Sequence, residues 1–481
     1  MNNKTETIGK YRWSICGLLF FATTINYLDR QVLSLTWSDF IAPEFHWTNN
    51  DYGNITALFS IFYAVSLLFA GRFVDWLDTK KGFLWAIGIW SFGACLHAFC
   101  GIATSGIITG NWLVGFEGAK DIIENISDTG TVINVSVTLF IFARFVLALG
   151  EAGNFPAAIK TTAEYFPKKD RAFSTSIFNA GATVGALAAP ITIPFIAKAF
   201  GWEMAFIIIG ALGFVWMGFW IFMYDKPEKH PKVSAAELAY IQQDEIADSK
   251  LVGYVPETTT KVSLKQCLTY RQTWAFAFGK FMTDGVWWFF LFWTPAYLSS
   301  VYGMDSTQAA FPLFVLYMIT LLSIIGGWLP TYFVEKKGMD PYAGRMRSML
   351  IFAFFPLLAL IAQPLGHISY WLPVIIIGIA GAAHQAWSAN IFTTVGDMFP
   401  KKAIATITGI GGLAGGVGST VINKSSGLLF DYATVTEMDF MGFHGIEAGY
   451  FIIFSICAVC YLIGWTVMKI LVPKYSPITD L

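Results

Sequence analysis

Six ionisable side chains stand deep inside otherwise apolar stretches: Asp29 and Arg30, Arg144 and Glu151, and Lys280 and Asp284. Burying such groups in a membrane is costly, so each is a candidate functional group. Arg144 and Glu151 are seven residues apart, close to two helical turns, so they share one face about 10 Å apart along the axis. Lys280 and Asp284 are four apart and again share a face. Asp29 and Arg30 are adjacent, point about 100° apart and can address different partners. The plain alternative is that these are paired ions that tighten helix packing. Three cation–anion sets on three separate stretches exceed what packing requires, because apolar replacements of buried pairs are often neutral or better. Arg suits capture of a carboxylate through its two-pronged donor geometry. A buried acid beside a cation can tie its proton to what the cation is doing. Protonating one carboxylate would then free a cation for an anion.

Uncharged groups in the same kind of stretch could hold hydroxyls: Tyr27, Tyr63, Asn179, His384, Gln385, Trp387, Ser388 and Asn390. Tyr and Trp can stack on the apolar face of a sugar ring while polar neighbours bond its hydroxyls. For any single one, interhelical hydrogen bonding is the alternative. His97 reads as a satisfied core histidine. Trp287 and Trp288 follow Lys280, and at least one could face the same cavity.

The elements that must position these groups are membrane helices. The chain is 55% hydrophobic and 13% charged, against about 25% charged for a soluble domain. Its mean hydropathy is +0.57. Spans of about 20 apolar residues are expected at 13–38, 52–77, 82–104, 136–160, 171–198, 202–224, 272–300, 307–334, 346–366, 369–397, 403–431 and 447–471. The expected fold is an all-α membrane protein of twelve spans. The polar stretch after Tyr224 divides it into an N-terminal six-helix half (1–224), a cytoplasmic linker (225–271) and a C-terminal six-helix half (272–481). All but six of the 31 lysines and arginines fall on one side of this threading. Lys120, Lys198 and Lys424 fall on the other, and Arg30, Arg144 and Lys280 lie within spans. The positive-inside rule therefore places both termini and the linker in the cytoplasm. The residues before the first span show no cleavage site, so that span is read as a membrane helix rather than a signal peptide. Net charge is −1, and nothing suggests nucleic acid. The six cysteines, including the Cys457–Cys460 pair, read as packing residues. No metal or cofactor is expected, and the chain is read as a monomer. The segment 105–135 faces outward with Glu117, Asp121, Glu124 and Asp128, as a solvated cap. Ser234 to Glu237 is a capping-box pattern that predicts a short linker helix. Glycines crowd the eleventh span from Gly409 to Gly418, and Gly181 and Gly185 the fifth, as close helix approach requires.

The loop Gly71-Arg-Phe-Val-Asp75-Trp-Leu-Asp-Thr-Lys80-Lys81-Gly82 resembles the signature loop of the major facilitator superfamily, departing from it at Arg72 and Trp76. Its logic is a charge clamp that breaks and reforms between access states, with Gly71, Asp75, Lys80 and Lys81 as the gating residues. Three further stretches resemble the anion:cation symporter branch, and bacterial hexuronate transporters most closely. They are Asn26-Tyr-Leu-Asp-Arg30, Arg144 through Leu149-Gly-Glu151-Ala-Gly-Asn-Phe-Pro156, and Gly381-Ala-Ala-His384-Gln-Ala-Trp-Ser388. The resemblance implies alternating access, with proton-coupled import of a hexuronate such as galacturonate or glucuronate across a bacterial inner membrane. It casts Arg30 and Lys280 as carboxylate-binding groups. Asp29 and Glu151 become proton-handling acids, Arg144 the partner of Glu151, and Tyr63, Asn179, Gln385, Trp387 and Ser388 the pocket lining. Import of an aldonate or another organic anion, and a non-transporting sensor, are the alternatives. No span carries a nucleophile with its base, or a nucleotide loop, so an enzyme is not expected.

Overall fold

The computed structural model describes residues 8–243 and 263–478. Lys4 and the stretch 244–262 of the expected linker lie outside the described residues. Twelve long helical segments run through the described residues: α1 (Tyr11–Thr36), α2 (Asn49–Leu77), α3 (Thr79–Ala98, continued past a 55° bend as Cys100–Thr109), α4 (Thr129–Glu151, resumed as Asn154–Tyr165), α5 (Lys168–Phe200), α6 (Trp202–Met223), α7 (Arg271–Tyr302), α8 (Ser306–Lys337), α9 (Pro341–Gly366), α10 (Trp371–Met398), α11 (Lys401–Val435) and α12 (Ile446–Leu471). Nine are long and apolar enough to cross a membrane, and the bent α3 makes a tenth. The other two, α1 and α7, are the helices that carry Asp29 with Arg30 and Lys280 with Asp284.

Side chains set the ends of these helices. Thr48 and Asp51 form a reciprocal capping box at the start of α2, as Asp305 and Gln308 do for α8. Asp128 caps α4 through Thr131 N at 3.1 Å. Each satisfies backbone donors that a helix start leaves unpaired. The glycines act by close approach. A Cβ on Gly181 or Gly185 would collide with backbone carbonyls of Phe20 and Thr24, so α5 lies directly on α1. A Cβ on Gly418 would collide with the Phe281 carbonyl, and one on Gly416 with Ala64, so α11 is wedged between α7 and α2.

The segment after α3 holds an amphipathic helix, Phe116–Glu124, with Ala119 and Ile123 buried and Glu117, Asp121 and Glu124 outside. The linker helix forms at Ala235–Ile241, with Ser234 accepting from Glu237 N at 3.2 Å. The Glu237 carboxylate does not close the box. It turns to α1 and accepts from Tyr11 N (3.2 Å), Arg12 N (3.0 Å) and Arg12 Nη1 (3.1 Å). The described part of the linker is thereby pinned to the start of α1. The cysteines are free thiols.

Candidate substrate and proton site

α1 and α4 run in opposite directions. Trp13 meets Phe166 at one end, and Trp47 bonds Ser136 and packs on Phe140 at the other. Midway, Arg30 reaches across to Glu151. Its Nε (3.1 Å) and Nη2 (2.7 Å) both donate to Glu151 Oε2. Both side chains are buried, and Glu151 Oε1 is buried without a hydrogen-bond partner. α4 breaks at Ala152–Gly153, immediately after Glu151. Three aromatic rings enclose the guanidinium: Tyr63 at 4.7 Å, Trp288 at 4.9 Å and Tyr27 at 5.2 Å to the centroids. A cation set against ring faces gains from their quadrupoles while keeping its edge free for an anion.

Asp29 is buried, and neither carboxylate oxygen has a hydrogen-bond partner. Trp90 sits beside it without meeting hydrogen-bond geometry. Arg144 is buried among the charges of Asp29, Arg30 and Glu151. Its guanidinium rests 5.1 Å from the Phe59 ring, and among the described residues it forms no ion pair. Glu151 therefore bonds Arg30 rather than Arg144, although Arg144 shares its helix face. Asn26 and Asn154, one turn from Asp29 and Glu151, are fully buried with both amide atoms unpartnered.

On α7, Lys280 Nζ pairs with Asp284 at 2.7 Å and lies 4.3 Å from the Phe392 ring. Gly415 of α11 leaves the room that Asp284 occupies. Trp287 stacks on His384 (5.3 Å, 3°), whose Nδ1 bonds the Tyr461 hydroxyl at 2.7 Å. Trp387 is fully buried, edge-on to Tyr461. Asn390 is held by the carbonyls of Gly326 (2.9 Å) and Ala386 (2.8 Å) and lines a cavity of about 280 Å³ with Arg345 and Glu335. Gln385 and Ser388 are half-buried, and Asn179 is exposed.

In the signature loop, Asp75 pairs with Lys160 of α4 at 2.9 Å. Lys80 pairs with Asp225 at 2.9 Å, and Asp78 with Lys226 at 3.3 Å. Gly71 has open space around it and Lys81 is exposed. Thr79 and Tyr224 both donate to Glu164. The loop is thus clamped to the ends of α4 and α6. Lys160, Asp78 and Asp225 are parts of this clamp that the loop pattern alone did not single out.

At the opposite end of the bundle, α2 and α11 are bonded together. Asp431 accepts from Asn49 N (2.9 Å), Asn49 Nδ2 (3.0 Å) and Asn50 N (2.7 Å). Lys424 donates to Asn50 and Asn54. Tyr52 donates to the Phe292 carbonyl at 2.9 Å, Ser60 meets Ser419 at 2.9 Å, and Ser306 N donates to Asp39.

Known proteins resemble this chain in family, in sequence and in fold. The profile of the Major Facilitator Superfamily matches residues 19–422. The hexuronate transporter of Escherichia coli (strain K12) is 27% identical over 467 residues, covering 95% of this chain and 94% of that protein. The galacturonate transporter of Dickeya chrysanthemi is 27% identical over 323 residues, covering 67% of this chain and 82% of that protein. Among solved structures, a bacterial homolog to the human lysosomal transporter Spinster superposes with a TM-score of 0.69 at 17% identity, covering 98% of this chain and 100% of that one. A D-xylose-proton symporter gives 0.65 at 14% identity, covering 97% and 98%. These two show the fold.

Proposed function

The chain belongs to the Major Facilitator Superfamily, a family of membrane transporters and not enzymes, and from that premise we propose that it imports a hexuronate together with a proton. One observation carries this: Arg30, boxed by three aromatic rings, is neutralised by a single oxygen of Glu151 while the other oxygen is left unpartnered. A substrate carboxylate and Glu151 would compete for the same guanidinium, and a proton on Glu151 would decide in the substrate's favour. Asp29 would serve as a second proton-handling group, with Arg144 holding the local charge balance. Lys280, neutralised by Asp284 in the same way, would take the far side of the anion. Tyr27, Tyr63, His384, Gln385, Trp387 and Ser388 would shape the sugar pocket, with Asn179 and Asn390 towards its mouth. The relatives named hexuronate and galacturonate transporters support this substrate class.

The basic residues support an inner-membrane orientation with both termini in the cytoplasm. In that orientation the Asp75–Lys160 clamp with Lys80, Lys81 and Gly71 is the inner gate, and the α2–α11 contacts close the outer side. The division at 1–224, 225–271 and 272–481 would give two halves that rock about the charged site as a monomer. The test is reconstitution of the chain in liposomes with labelled galacturonate, glucuronate and galactonate, with and without an inward proton gradient. Accumulation driven by the gradient is the expected result. Binding without accumulation, or uptake indifferent to the gradient, refutes it.

A further inference from the structure

Lys424 is a cation that the central site does not use. It sits half-buried on α11, on the side where basic residues are scarce. Its Nζ is held by two neutral oxygens of α2, Asn50 Oδ1 at 2.6 Å and Asn54 Oδ1 at 2.5 Å. Among the described residues no carboxylate pairs with it. The acid two turns further along α11, Asp431, is committed elsewhere, to the first backbone N–H groups of α2. Lys198 on the same side does have a carboxylate, Asp305 at 3.7 Å. A partly desolvated ammonium satisfied by amides alone keeps most of its affinity for an anion.

All of its partners belong to α2. When α2 and α11 part at this seam, both asparagines leave with α2 and the ammonium stays behind on α11. We propose that Lys424 is an outer binding site for the carboxylate of the incoming sugar acid, filled as the α2–α11 seam opens. The inference rests on the import reading and orientation given above. The path inward from it follows the same helix. Asn423 bonds Trp293 Nε1 at 2.9 Å, Ser419 meets Ser60, and Gly415 lies against Asp284. Lys424 stands nine helix positions beyond Gly415, about 14 Å at 1.5 Å per residue. Between the two lies the Ser419 hydroxyl, whose α2 partner Ser60 leaves at the same parting and so frees it for a substrate hydroxyl.

The test compares the full chain with Lys424→Gln and Lys424→Arg in right-side-out liposomes, reading initial galacturonate uptake against concentration at low and high ionic strength. Glutamine keeps a donor for Asn50 and Asn54 and removes only the charge. The expected result is a rise in KM on the order of fivefold at low salt for Lys424→Gln. Its kcat should stay near wild type, its salt dependence should flatten, and arginine should restore both. Wild-type KM and salt dependence in Lys424→Gln overturn the proposal, as does an arginine variant as impaired as the glutamine one. If Lys424→Gln fails to assemble, the wild-type salt titration decides: a KM indifferent to ionic strength overturns the site. A wild type that takes up none of the three acids sinks the import reading itself, which separates the two failures.

Discussion

Glu151→Gln is the most direct probe of competition at Arg30. Glu151 Oε2 receives two guanidinium hydrogen bonds, at 3.1 and 2.7 Å, in a buried setting. A hydrogen bond to a charged group is worth about 1.5–3 kcal/mol net. Under the proposed competition, an incoming carboxylate would have to displace that interaction while Glu151 is ionised. Glutamine preserves shape and one acceptor but imitates the protonated state. Removing the competing charge should therefore return about 1.5–3 kcal/mol to the substrate, a ten- to hundredfold gain in affinity. Wild-type affinity should fall as pH rises, because protons are lost from the site. In Glu151→Gln affinity should be high and flat with pH. Equilibrium binding of labelled galacturonate to purified protein across neutral and mildly acidic pH measures both. In liposomes the same variant should exchange substrate yet fail to accumulate it on a proton gradient. Wild-type pH dependence of binding in Glu151→Gln, or gradient-driven accumulation by it, would refute the competition.

Further outcomes follow from other contacts. Glu44, in the short helix after α1, is buried and bonds Trp202 Nε1 at 2.8 Å; burial pushes its carboxyl from 4.5 up to about 7. A folded-state value above the unfolded one favours the protonated protein, so stability should fall as pH rises from about 4.5 to 7, by on the order of 3 kcal/mol, and Glu44→Gln should remove that slope in thermal melts. Asp431→Asn removes a negative charge from the start of α2; spin labels at His46 and Thr436 should then report a larger separated population, and an unchanged distance distribution counts against the α2–α11 contacts as the outer closure. Gly418→Ala should destabilise by about 1–3 kcal/mol through its clash with the Phe281 carbonyl, although alanine ordinarily favours a helix, while Gly218→Ala, with open space around it, should not. Import of one carboxylate with one proton moves no net charge, so uptake of a monoanion should be insensitive to membrane potential in valinomycin-clamped liposomes.

The charged residues were legible because ions are rare in apolar helices, so Asp29, Arg30, Arg144, Glu151, Lys280 and Asp284 announce themselves. The pairing of Lys280 with Asp284 was legible too, since four-residue spacing on one helix decides it. The pairing of Arg30 with Glu151 was not. It depends on α1 and α4 crossing in opposite directions at that depth, which spacing within α4 cannot encode, and spacing pointed to Arg144 instead. Tyr461, Phe392 and Phe59 are silent in the sequence for a similar reason: an aromatic residue in a membrane helix carries no signal until its neighbour is known. Asn26 and Asn154 stood inside recognisable motifs, yet only their buried, unpartnered amides mark them as part of the charged site. Lys424 stood out as an exception to the charge bias. Its partners Asn50 and Asn54 lie more than 300 residues away, beyond any local pattern.

The two ion pairs differ in what breaking them would move. Lys280 and Asp284 sit on one helix, so their separation needs a rotamer change alone. Arg30 and Glu151 tie α1 to α4 at the point where α4 is already interrupted, so their separation loosens one helix against another. Trp288 covers the Arg30 guanidinium from α7, one turn beyond Asp284. An anion that draws Arg30 out of the Glu151 contact must also shift it against Trp288. The displacement then reaches α7, and with it Lys280 and Asp284, through a packed side chain rather than through a long-range field. Under the proposed mechanism, a carboxylate arriving at Arg30 can in this way be felt at the Lys280–Asp284 pair as well. That is the physical requirement for making movement conditional on both proton and anion being aboard.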